Sequence, residues 1–400
     1  MAHRLPFPPD RGDKIRSHHV LKALAQIAPV HVGCLAEDAK DAAHKGELAA
    51  IATSHCMPRR SKQLALAGIE ALGRGEPVSF SAFRSKQLHD WVKVTLAERN
   101  IRAIYVFSGQ MAQYVPEDWK RRLIVDLVDV DSAKFEAYAA QGSGLRGWID
   151  AREGKLLRAI ESELAKRADA TLLVSEAEAN LLRERAPGSR NIRALRNGID
   201  CTQFDPDAAT PASQLSDDGP HYVFTGQMDY APNVTAVARM AKQIMPRVRK
   251  ELPQARFHIV GRAPTGEVLK LDGLNGTTVV GEVPDTRPWL VGANAVVAPL
   301  TLARGVQNKV LEAMSMAKPV VASPEAATGI DARNHEDILV AADDATFAAH
   351  LLQLHDDPAK AAKLGEAARN FVKTEMSWPA MLADLPTLLG LADGGARDAA

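Results

Sequence analysis

Several features that define large protein classes are missing from this 400-residue sequence. Its three cysteines, Cys34, Cys56 and Cys201, lie far apart, so they form no zinc-binding Cys-x-x-Cys pair and suit a reducing compartment. The formal net charge is zero, whereas dedicated nucleic-acid-binding proteins carry a basic excess. No apolar run approaches the ~18 residues that span a bilayer, and the N-terminus has no apolar signal-peptide core. We therefore expect a cytoplasmic protein, which leaves docking on the inner face of the membrane open.

Signature motifs of several enzyme classes are also absent. The patterns HExxH, GxSxG and GxxxxGK[ST] do not occur, so metalloprotease, serine hydrolase and P-loop kinase activities lack sequence support. We expect no metal cofactor.

What the sequence does contain is a repeated alternation of short β-branched runs and longer helical patterns. Strands are predicted at "PVHVGCL", "RAIYVF", "RLIVDLVD", "ATLLVS", "IRALRNG", "HYVFTG", "ARFHIVG", "TTVVG", "NAVVAPL", "KPVVAS" and "DILVA". This alternation predicts an α/β protein with parallel sheets covered by helices. A segment rich in Pro, Asp and Ser divides it, so we predict two Rossmann-like domains, 1–200 and 221–375, with a linker at 201–220. A C-terminal helix, 376–400, stays with the second domain or packs back on the first.

The stretch "PLTLARGVQNKVLEAMSMAKPVVAS", residues 299–323, places a glycine-bearing loop before an amphipathic helix. The first turn of a helix has unpaired N–H groups and the positive end of the dipole, so it attracts anions. Gly305 allows close approach, and Arg304 and Lys309 add positive charge, which suits a phosphate or diphosphate. Glu312 lies on the same helix face as Lys309 and can accept hydrogen bonds from a ribose diol. A surface Lys–Glu pair is the alternative interpretation.

Loops of the first domain offer a second candidate site. In "PFPPDRGDKIR", Gly12 opens a helix that Asp13 can cap at about Lys14, and Arg16 follows one turn later. Similar loops, one in each domain, suggest that one ligand is held from both sides.

Two further strand ends carry polar residues. "VDLVDVDSAKF" places Asp129 and Asp131 at a strand end, where Asp131 or Ser132 can also serve simply as a helix cap. "FHIVGRAPTGEV" places Gly261 and Arg262 after another strand, either as a phosphate or base contact or as a tight turn with a solvated arginine.

Four segments together resemble a known family. "RNGIDCTQFDP", "FTGQMDYAPN", "HIVGRAP" and "LEAMSMAKPVVAS" are similar, in this order along the chain, to the motifs of retaining GT-B glycosyltransferases of group 1, family four, and Trp378 matches the tryptophan of the family's C-terminal helix. The resemblance covers nearly the whole chain. More narrowly, "HRLPFPPDRGDKIRSHH" and "VDLVDVDSAKF" look like the sugar transferases of exopolysaccharide clusters of the exosortase/PEP-CTERM type.

The resemblance implies a set of site residues. The resemblance itself assigns Glu312 to the nucleotide ribose. Together with the loop chemistry above, it leads us to expect donor binding by Gly226, Gly261, Arg262, Gly305, Val306, Gln307, Asn308, Lys309 and Glu312, catalysis by Arg304, Lys309 and Asp129, and an acceptor or phosphate loop of Gly12, Asp13, Arg16, Asp131 and Lys134.

The sequence also departs from the family pattern. Arg304 stands where the family has its first motif acid, Gln227 follows Gly226, and Asn233 occupies the region of a usual lysine. We therefore expect Arg304, Lys309 and Arg262 to supply the positive charge. Only Met1 and Ala2 stand where relatives have a full first strand, so we expect either a start codon further upstream or a truncated first strand.

The resemblance implies a hexosyltransferase-type enzyme with two domains facing across a cleft. It would move a sugar from a UDP- or GDP-linked donor, with retention, to a saccharide or lipid-linked acceptor in exopolysaccharide biosynthesis, with no other cofactor. For the basic, apolar segment 58–75 we expect one of two roles. It either rests on anionic lipid or forms an ordinary solvated helix. A sugar-nucleotide epimerase and a non-catalytic GT-B scaffold are the alternatives.

The interpretation of Arg304 gives a prediction. Because a charge-assisted hydrogen bond contributes roughly 1.5–3 kcal/mol, Arg304→Glu should weaken binding of a nucleotide-sugar donor at least about tenfold in calorimetric titration. Lys360→Glu, in the predicted C-terminal helical region, is the control. Unchanged donor affinity in Arg304→Glu would contradict this assignment.

Overall fold

The chain folds as two α/β units. The computed structural model describes residues 1–303 and 305–391. The first unit comprises Met1–Asn197 and the C-terminal stretch that begins at Met381, and the second comprises Gly198–Ala380. Each unit contains parallel strands with helices packed against them, which confirms the predicted fold class.

The first unit has a four-stranded and a two-stranded parallel sheet. Its strands are β1 (His31–Gly33), β2 (Ser54–Cys56), β3 (Ala103–Phe107), β4 (Arg122–Val128), β5 (Ala170–Leu173) and β6 (Ile192–Ala194). β1 pairs with β2, and the larger sheet has the order β3-β4-β5-β6. The five predicted strands are confirmed. β2 escaped prediction because its sequence, "SHC", contains no apolar run.

The first two residues lie between these sheets. Ala2 forms parallel bridges to Cys34, after β1, and to Phe107 in β3. Its N–H donates to Gly33 O at 2.9 Å, and the N–H of Phe107 donates to Met1 O at 2.8 Å. The segment formed by Met1 and Ala2 thus lies in line between β1 and β3. An apolar cavity of about 1120 Å³, lined by residues of β1 and β3, lies beside it.

Nine helices surround the strands of the first unit up to residue 197. They are α1 (Gly12–Ile27), α2 (Ala39–Ala43), α3 (Lys45–Ile51), α4 (Leu64–Arg74), α5 (Val78–Ala82), α6 (Lys86–Glu98), α7 (Asp131–Gln141), α8 (Gly144–Arg167) and α9 (Glu176–Arg185). The long helix α8 packs along α7.

A fully buried ion pair attaches α1 to the sheet. Arg16 Nε and Nη2 each lie 2.9 Å from a carboxylate oxygen of Asp126 in β4, and neither side chain is exposed. Arg16 Nη1 donates to Leu195 O at 2.7 Å and to Asn197 Oδ1 at 3.0 Å, while the Tyr105 hydroxyl donates to Asp126 at 2.7 Å. The assignment of Arg16 to a phosphate loop is therefore wrong, because its donors are already engaged inside the protein.

The second unit has one six-stranded parallel sheet. Its strands are β7 (His221–Thr225), β8 (Arg256–Val260), β9 (Thr277–Gly281), β10 (Ala295–Ala298), β11 (Val320–Ala322) and β12 (Leu339–Val340). All six were predicted from apolar runs. The order is β12-β11-β10-β7-β8-β9, so the chain starts at the centre, builds one side and then crosses to the other.

The helices of the second unit follow its strands. They are α10 (Ala231–Arg239), α11 (Met245–Glu251), α12 (Gly266–Leu269), α13 (Arg287–Gly292), α14 (Asn308–Ser315), α15 (Pro324–Ala327), α16 (Asp344–Asp356), α17 (Pro358–Phe371) and α18 (Trp378–Met381). The helix predicted over about 232–250 is interrupted by a π-helical turn at Met240–Ile244. Pro246 explains the interruption, since it has no N–H for the regular ladder.

The segment predicted as a linker, 201–220, belongs to the second unit. Phe204 and Ala212 pack against its core, and Leu215 is buried within that core. The Ser315 hydroxyl donates to Phe204 O at 2.8 Å. Apolar residues spaced through a proline-rich segment thus attach it to the sheet domain that follows.

The C-terminal region forms short helices, where the sequence predicts one at 376–400. The N–H of Trp378 donates to Ile199 O at 3.2 Å within the second unit. Helix α19 (Leu385–Leu388) packs against α1 of the first unit, and residues 392–400 lie outside the described range. Among the helices described, none has the length and apolar character that would let it cross a membrane.

The ion pair of Arg16 predicts a large effect on stability. Asp126→Ala leaves the guanidinium buried without its carboxylate, so the free energy of unfolding should fall by about 3–5 kcal/mol, measured by urea denaturation. Glu336→Ala removes an exposed partner of Arg333 and should cost less than about 1 kcal/mol. Similar losses in the two variants would refute the anchoring role.

Candidate functional site

The candidate site lies at the carboxyl edge of the second sheet. The strand order reverses between β7 and β10, and in open α/β sheets the loops that leave such neighbouring strands form a binding crevice. The loop after β7 begins at Gly226, the loop after β8 at Gly261, and the loop after β10 leads into α14. The loops singled out in the sequence analysis thus leave the same edge of the sheet.

Gly226 and Gly261 are required by close packing of the first two loops. A Cβ on Gly261 would lie 1.6 Å from Gly226 O, which no side chain can accommodate. A Cβ on Gly226 would lie 2.8 Å from Asn233 Nδ2 and 3.1 Å from Lys309 Nζ. The backbone of Gly226 therefore stands directly beside the lysine ammonium.

Lys309, in the first turn of α14, is half-buried. Its Nζ donates to Asn233 Oδ1 at 2.5 Å and lies 4.2 Å from the centre of the Phe224 ring. Burial lowers the pKa of Lys309 to about 8, while the nearby Glu312 carboxylate opposes that shift. Among the described residues, no carboxylate lies within 4.0 Å of the ammonium. A neutral amide and a ring face therefore provide its direct contacts.

Glu312 follows Lys309 on the same face of α14. Burial raises the pKa of its carboxyl group to about 7, and Lys309 lowers it less than burial raises it. Within residues 1–303 and 305–391, no donor is in hydrogen-bond contact with this carboxylate. The site thus presents a cation and an acid, one helical turn apart, whose hydrogen-bonding capacity is largely unused.

The remaining predicted donor-site residues have different positions. Arg262 is exposed, and its Nη2 donates to Gln227 Oε1 at 3.0 Å, beside the loop after β7. Gln307 precedes α14, makes no side-chain cap and donates to Gly305 O at 3.1 Å. Val306 packs against the core, so its side chain anchors the loop.

For two further predicted site residues, the structure gives little information about a role in the site. Asn308 is exposed and is the first residue of α14. Arg304 lies outside the described residues, so its catalytic assignment stays a prediction from the sequence.

Two contacts of Lys309 were not assigned from the sequence. Asn233 was noted only as occupying the region of a family lysine, and its amide instead holds Lys309. Phe224 reads as an ordinary apolar strand residue, and nothing in its local sequence distinguishes it from the core.

The predicted first-unit loop at Gly12 differs in detail. Gly12 lies within α1, and a Cβ there would meet no atom within 4 Å, so left-handed geometry is not needed. Asp13 lies in the first turn of α1 and does not cap it. Its carboxylate pairs with Arg4 at 2.6 Å and with Arg11 at 3.2 Å. Against the opposing effect of burial, hydrogen bonds from His3 and Arg4, with the charges of Arg4 and Arg11, hold the pKa of Asp13 well below its usual range.

Asp129 and Asp131 follow β4. Val128, the last residue of β4, has φ 71°, an unfavourable conformation for a β-branched residue, and the backbone turns there. Partial desolvation raises the pKa of Asp129, with a further contribution from Glu178, and burial raises the pKa of Asp131. Asp131 is the first residue of α7, and Lys134 lies exposed in the same helix. This edge is acidic and strained, and it belongs to a different unit from Lys309.

No group of three His, Cys, Asp or Glu side chains among the described residues is arranged to hold a metal ion.

Comparison with known proteins relates the second unit to a family. Residues 219–357 match the family model for glycosyl transferases group 1. Glycogen synthase from Mycobacterium tuberculosis is 26% identical over 253 residues, which cover 60% of this chain and 58% of that relative. The chain thus spans less than two thirds of the length of the curated relatives it matches.

Solved structures resemble the chain over nearly its whole length. HepE of Anabaena in complex with UDP has a TM-score of 0.59 at 15% identity and covers 95% of this chain and 96% of its own. Sucrose-phosphate synthase from Thermosynechococcus elongatus has a TM-score of 0.56 at 17% identity, covering 97% and 96%. A glycosyltransferase from Rickettsia africae has a TM-score of 0.59 at 14% identity, covering 98% of both chains. These likenesses establish the fold, with two Rossmann-like domains of the GT-B type.

The raised pKa of Glu312 predicts a pH dependence of stability. Between the ordinary value of 4.5 and about 7, the folded chain keeps a proton that the unfolded chain has lost. The free energy of unfolding should therefore fall as pH rises through this window, by roughly 1–3 kcal/mol from this group. Lys309 acts with the opposite sign between about 8 and 10.5, where the unfolded chain holds the extra proton.

We expect Glu312→Gln to make the decline between about pH 4.5 and 7 shallower in chemical denaturation experiments, while Glu161, whose pKa burial also raises to about 7, continues to contribute. Glu366→Gln, which removes an exposed carboxylate, should keep the wild-type slope. An identical pH slope in wild type and Glu312→Gln would show that Glu312 titrates normally.

Proposed function

We propose that this chain, whose residues 219–357 are a glycosyl transferases group 1 segment, transfers a sugar from a nucleoside diphosphate donor to a saccharide or lipid-linked acceptor. The observation that carries this proposal is the ammonium of Lys309. It is half-buried beside the loops that begin at Gly226 and Gly261. Its direct contacts are the neutral amide of Asn233 and the ring of Phe224.

A diphosphate completes this arrangement electrostatically. A desolvated ammonium is unfavourable without an anion, so a phosphate oxygen at Lys309 would stabilise the bound state. The N-terminus of α14, which no described side chain caps, supplies further N–H donors. Arg262 adds an exposed positive charge near the loop after β7.

The same groups would act in the reaction. As the bond between sugar and diphosphate breaks, negative charge grows on the leaving phosphate, and a fixed cation and helix N-terminus stabilise that charge most in the transition state. We propose a retaining reaction of the hexosyltransferase type. The leaving phosphate of the donor would pair with the ammonium of Lys309, and no further cofactor would take part.

Glu312 would bind the nucleoside. Its carboxylate has free acceptor capacity one turn from Lys309, and the two hydroxyls of a ribose can donate to it. Such hydrogen bonds favour the ionised form, so nucleotide binding should lower the pKa of Glu312 from about 7.

The base and the acceptor extend the proposal further. Because HepE of similar fold binds UDP, uridine is the base to test first, followed by guanosine. We propose that the acceptor meets the first unit near Gly12 and the segment from Asp129 to Asp131, in exopolysaccharide biosynthesis on the inner face of the membrane.

Calorimetric titration with UDP, GDP and their sugar conjugates tests the donor site. We expect saturable binding of one nucleotide, weakened about 10–100-fold in Lys309→Met because a charge-assisted hydrogen bond to phosphate is lost. Lys318→Met is the matched control, since Lys318 also has a pKa lowered by burial but lies beyond the opposite end of α14.

Equal loss of affinity in the two lysine variants would indicate general destabilisation instead of a phosphate contact. Absence of binding to any nucleotide by the wild-type chain would overturn the enzyme proposal and favour a non-catalytic scaffold.

A further inference from the structure

The solvent side of α4 is apolar, the reverse of an ordinary surface helix. Leu64 and Ile69 are each 69% exposed, Leu66 is 59% exposed and Leu72 is 55% exposed. A surface helix of a soluble domain normally turns its large apolar residues inward and its charged residues outward. Here the large side chains project into solvent along an 11-residue helix.

The inward side of α4 explains this orientation. Ala67 and Ala71 are the buried residues of the helix, and both are completely inaccessible. Their small side chains let α4 pack closely against the rest of the unit, and none of the leucines of α4 lies in this contact. The orientation is therefore determined by packing, and the leucines are left without an internal partner.

Helix α8 extends the apolar area. Leu145, Trp148 and Ile149 are 74%, 54% and 41% exposed, and their spacing of three and four places them on one helix face. The next residue of that face, Arg152, donates to Ala71 O at 3.1 Å at the end of α4. We call the combined area the α4–α8 apolar surface, which comprises Leu64, Leu66, Ile69, Leu72, Leu145, Trp148 and Ile149.

Basic residues adjoin this surface along the chain, in the segment before and within α4 and at the start of α8. The segment 59–75 contains four basic residues and one acidic residue, although the whole chain has zero net charge. The acidic residue, Glu70, is already neutralised by Lys62 at 2.5 Å and by Arg74 and Arg84. Arg59 and Arg146 are exposed and make no ion pair with any described residue. The edge of the surface therefore carries unneutralised positive charge.

We propose that the α4–α8 apolar surface docks on an anionic lipid bilayer. Projecting leucines with a tryptophan, bordered by arginines, have the composition that inserts into the interface between lipid headgroups and acyl chains. The basic border matches the negative charge of phosphate headgroups. A protein partner of matching shape would call for an acidic, apolar counterpart, whereas a bilayer supplies both properties at any point.

This inference concerns the first unit alone and does not rest on the donor site of the second. If it holds together with the proposed function, the surface would keep an enzyme that uses a lipid-linked acceptor at the membrane. Failure of either leaves the other intact, because one is measured by vesicle binding and the other by nucleotide binding.

Vesicle co-sedimentation of the full chain tests the proposal. We expect the protein to bind vesicles of phosphatidylglycerol and phosphatidylethanolamine. The combined variant Leu64→Gln, Leu66→Gln, Ile69→Gln and Leu72→Gln should bind at least about tenfold more weakly. Glutamine keeps high helix propensity, so an unchanged melting temperature would show that α4 still forms. Arg59→Glu with Arg146→Glu should reduce the preference for anionic over phosphatidylcholine vesicles.

The matched control removes exposed apolar residues outside the surface. Val94→Gln with Leu269→Gln, at positions 51% and 54% exposed, should bind vesicles like the wild type. Wild-type protein that stays in the supernatant would overturn the proposal, as would equal binding by the glutamine variant. If sedimentation velocity instead shows a dimer that the glutamine variant abolishes, without vesicle binding, the surface joins two copies of the chain.

Discussion

A cation shielded from water needs an anion or another electron-rich partner. One side chain in each unit faces this requirement, Arg16 in the first and Lys309 in the second. Arg16 satisfies it internally, because Asp126 offers both carboxylate oxygens at 2.9 Å and no solvent reaches the pair. Lys309 has only an amide oxygen and an aromatic ring in direct contact. One cation therefore holds the first unit together, and the other is available to an anion from outside.

The surroundings of Lys309 are built largely from backbone. Parallel pairing brings the ends of β7, β8 and β10 to one edge, and the contact between Gly226 and Gly261 lets two loops share space that a single methyl group would fill. Neither glycine binds a ligand by a side chain. Because they have no side chain, they leave space for the Lys309 ammonium and the first turn of α14 to lie close to the backbone of the two loops.

The two proposals depend on opposite departures from normal burial. In the second unit, charged groups lie where apolar side chains are expected, and the pKa values of Lys309 and Glu312 shift accordingly. In the first unit, leucines of α4 lie where charged groups are expected. If the two proposals hold, a bound anion would offset the first arrangement and a bilayer would cover the second.

The sequence by itself determined the strands, the α/β class and the Lys309–Glu312 spacing on one helix. These depend on local periodicity, and every strand read from an apolar run is present in the structure. It did not determine what those residues contact. Asn233 lies 76 residues from Lys309, and Asp126 lies 110 residues from Arg16. Only the order of strands brings such pairs together, because strand order arises from crossovers that local sequence does not encode. The tertiary structure therefore decided that Arg16 is an internal anchor, that the segment 201–220 belongs to the second unit, and that the leucines of α4 face solvent.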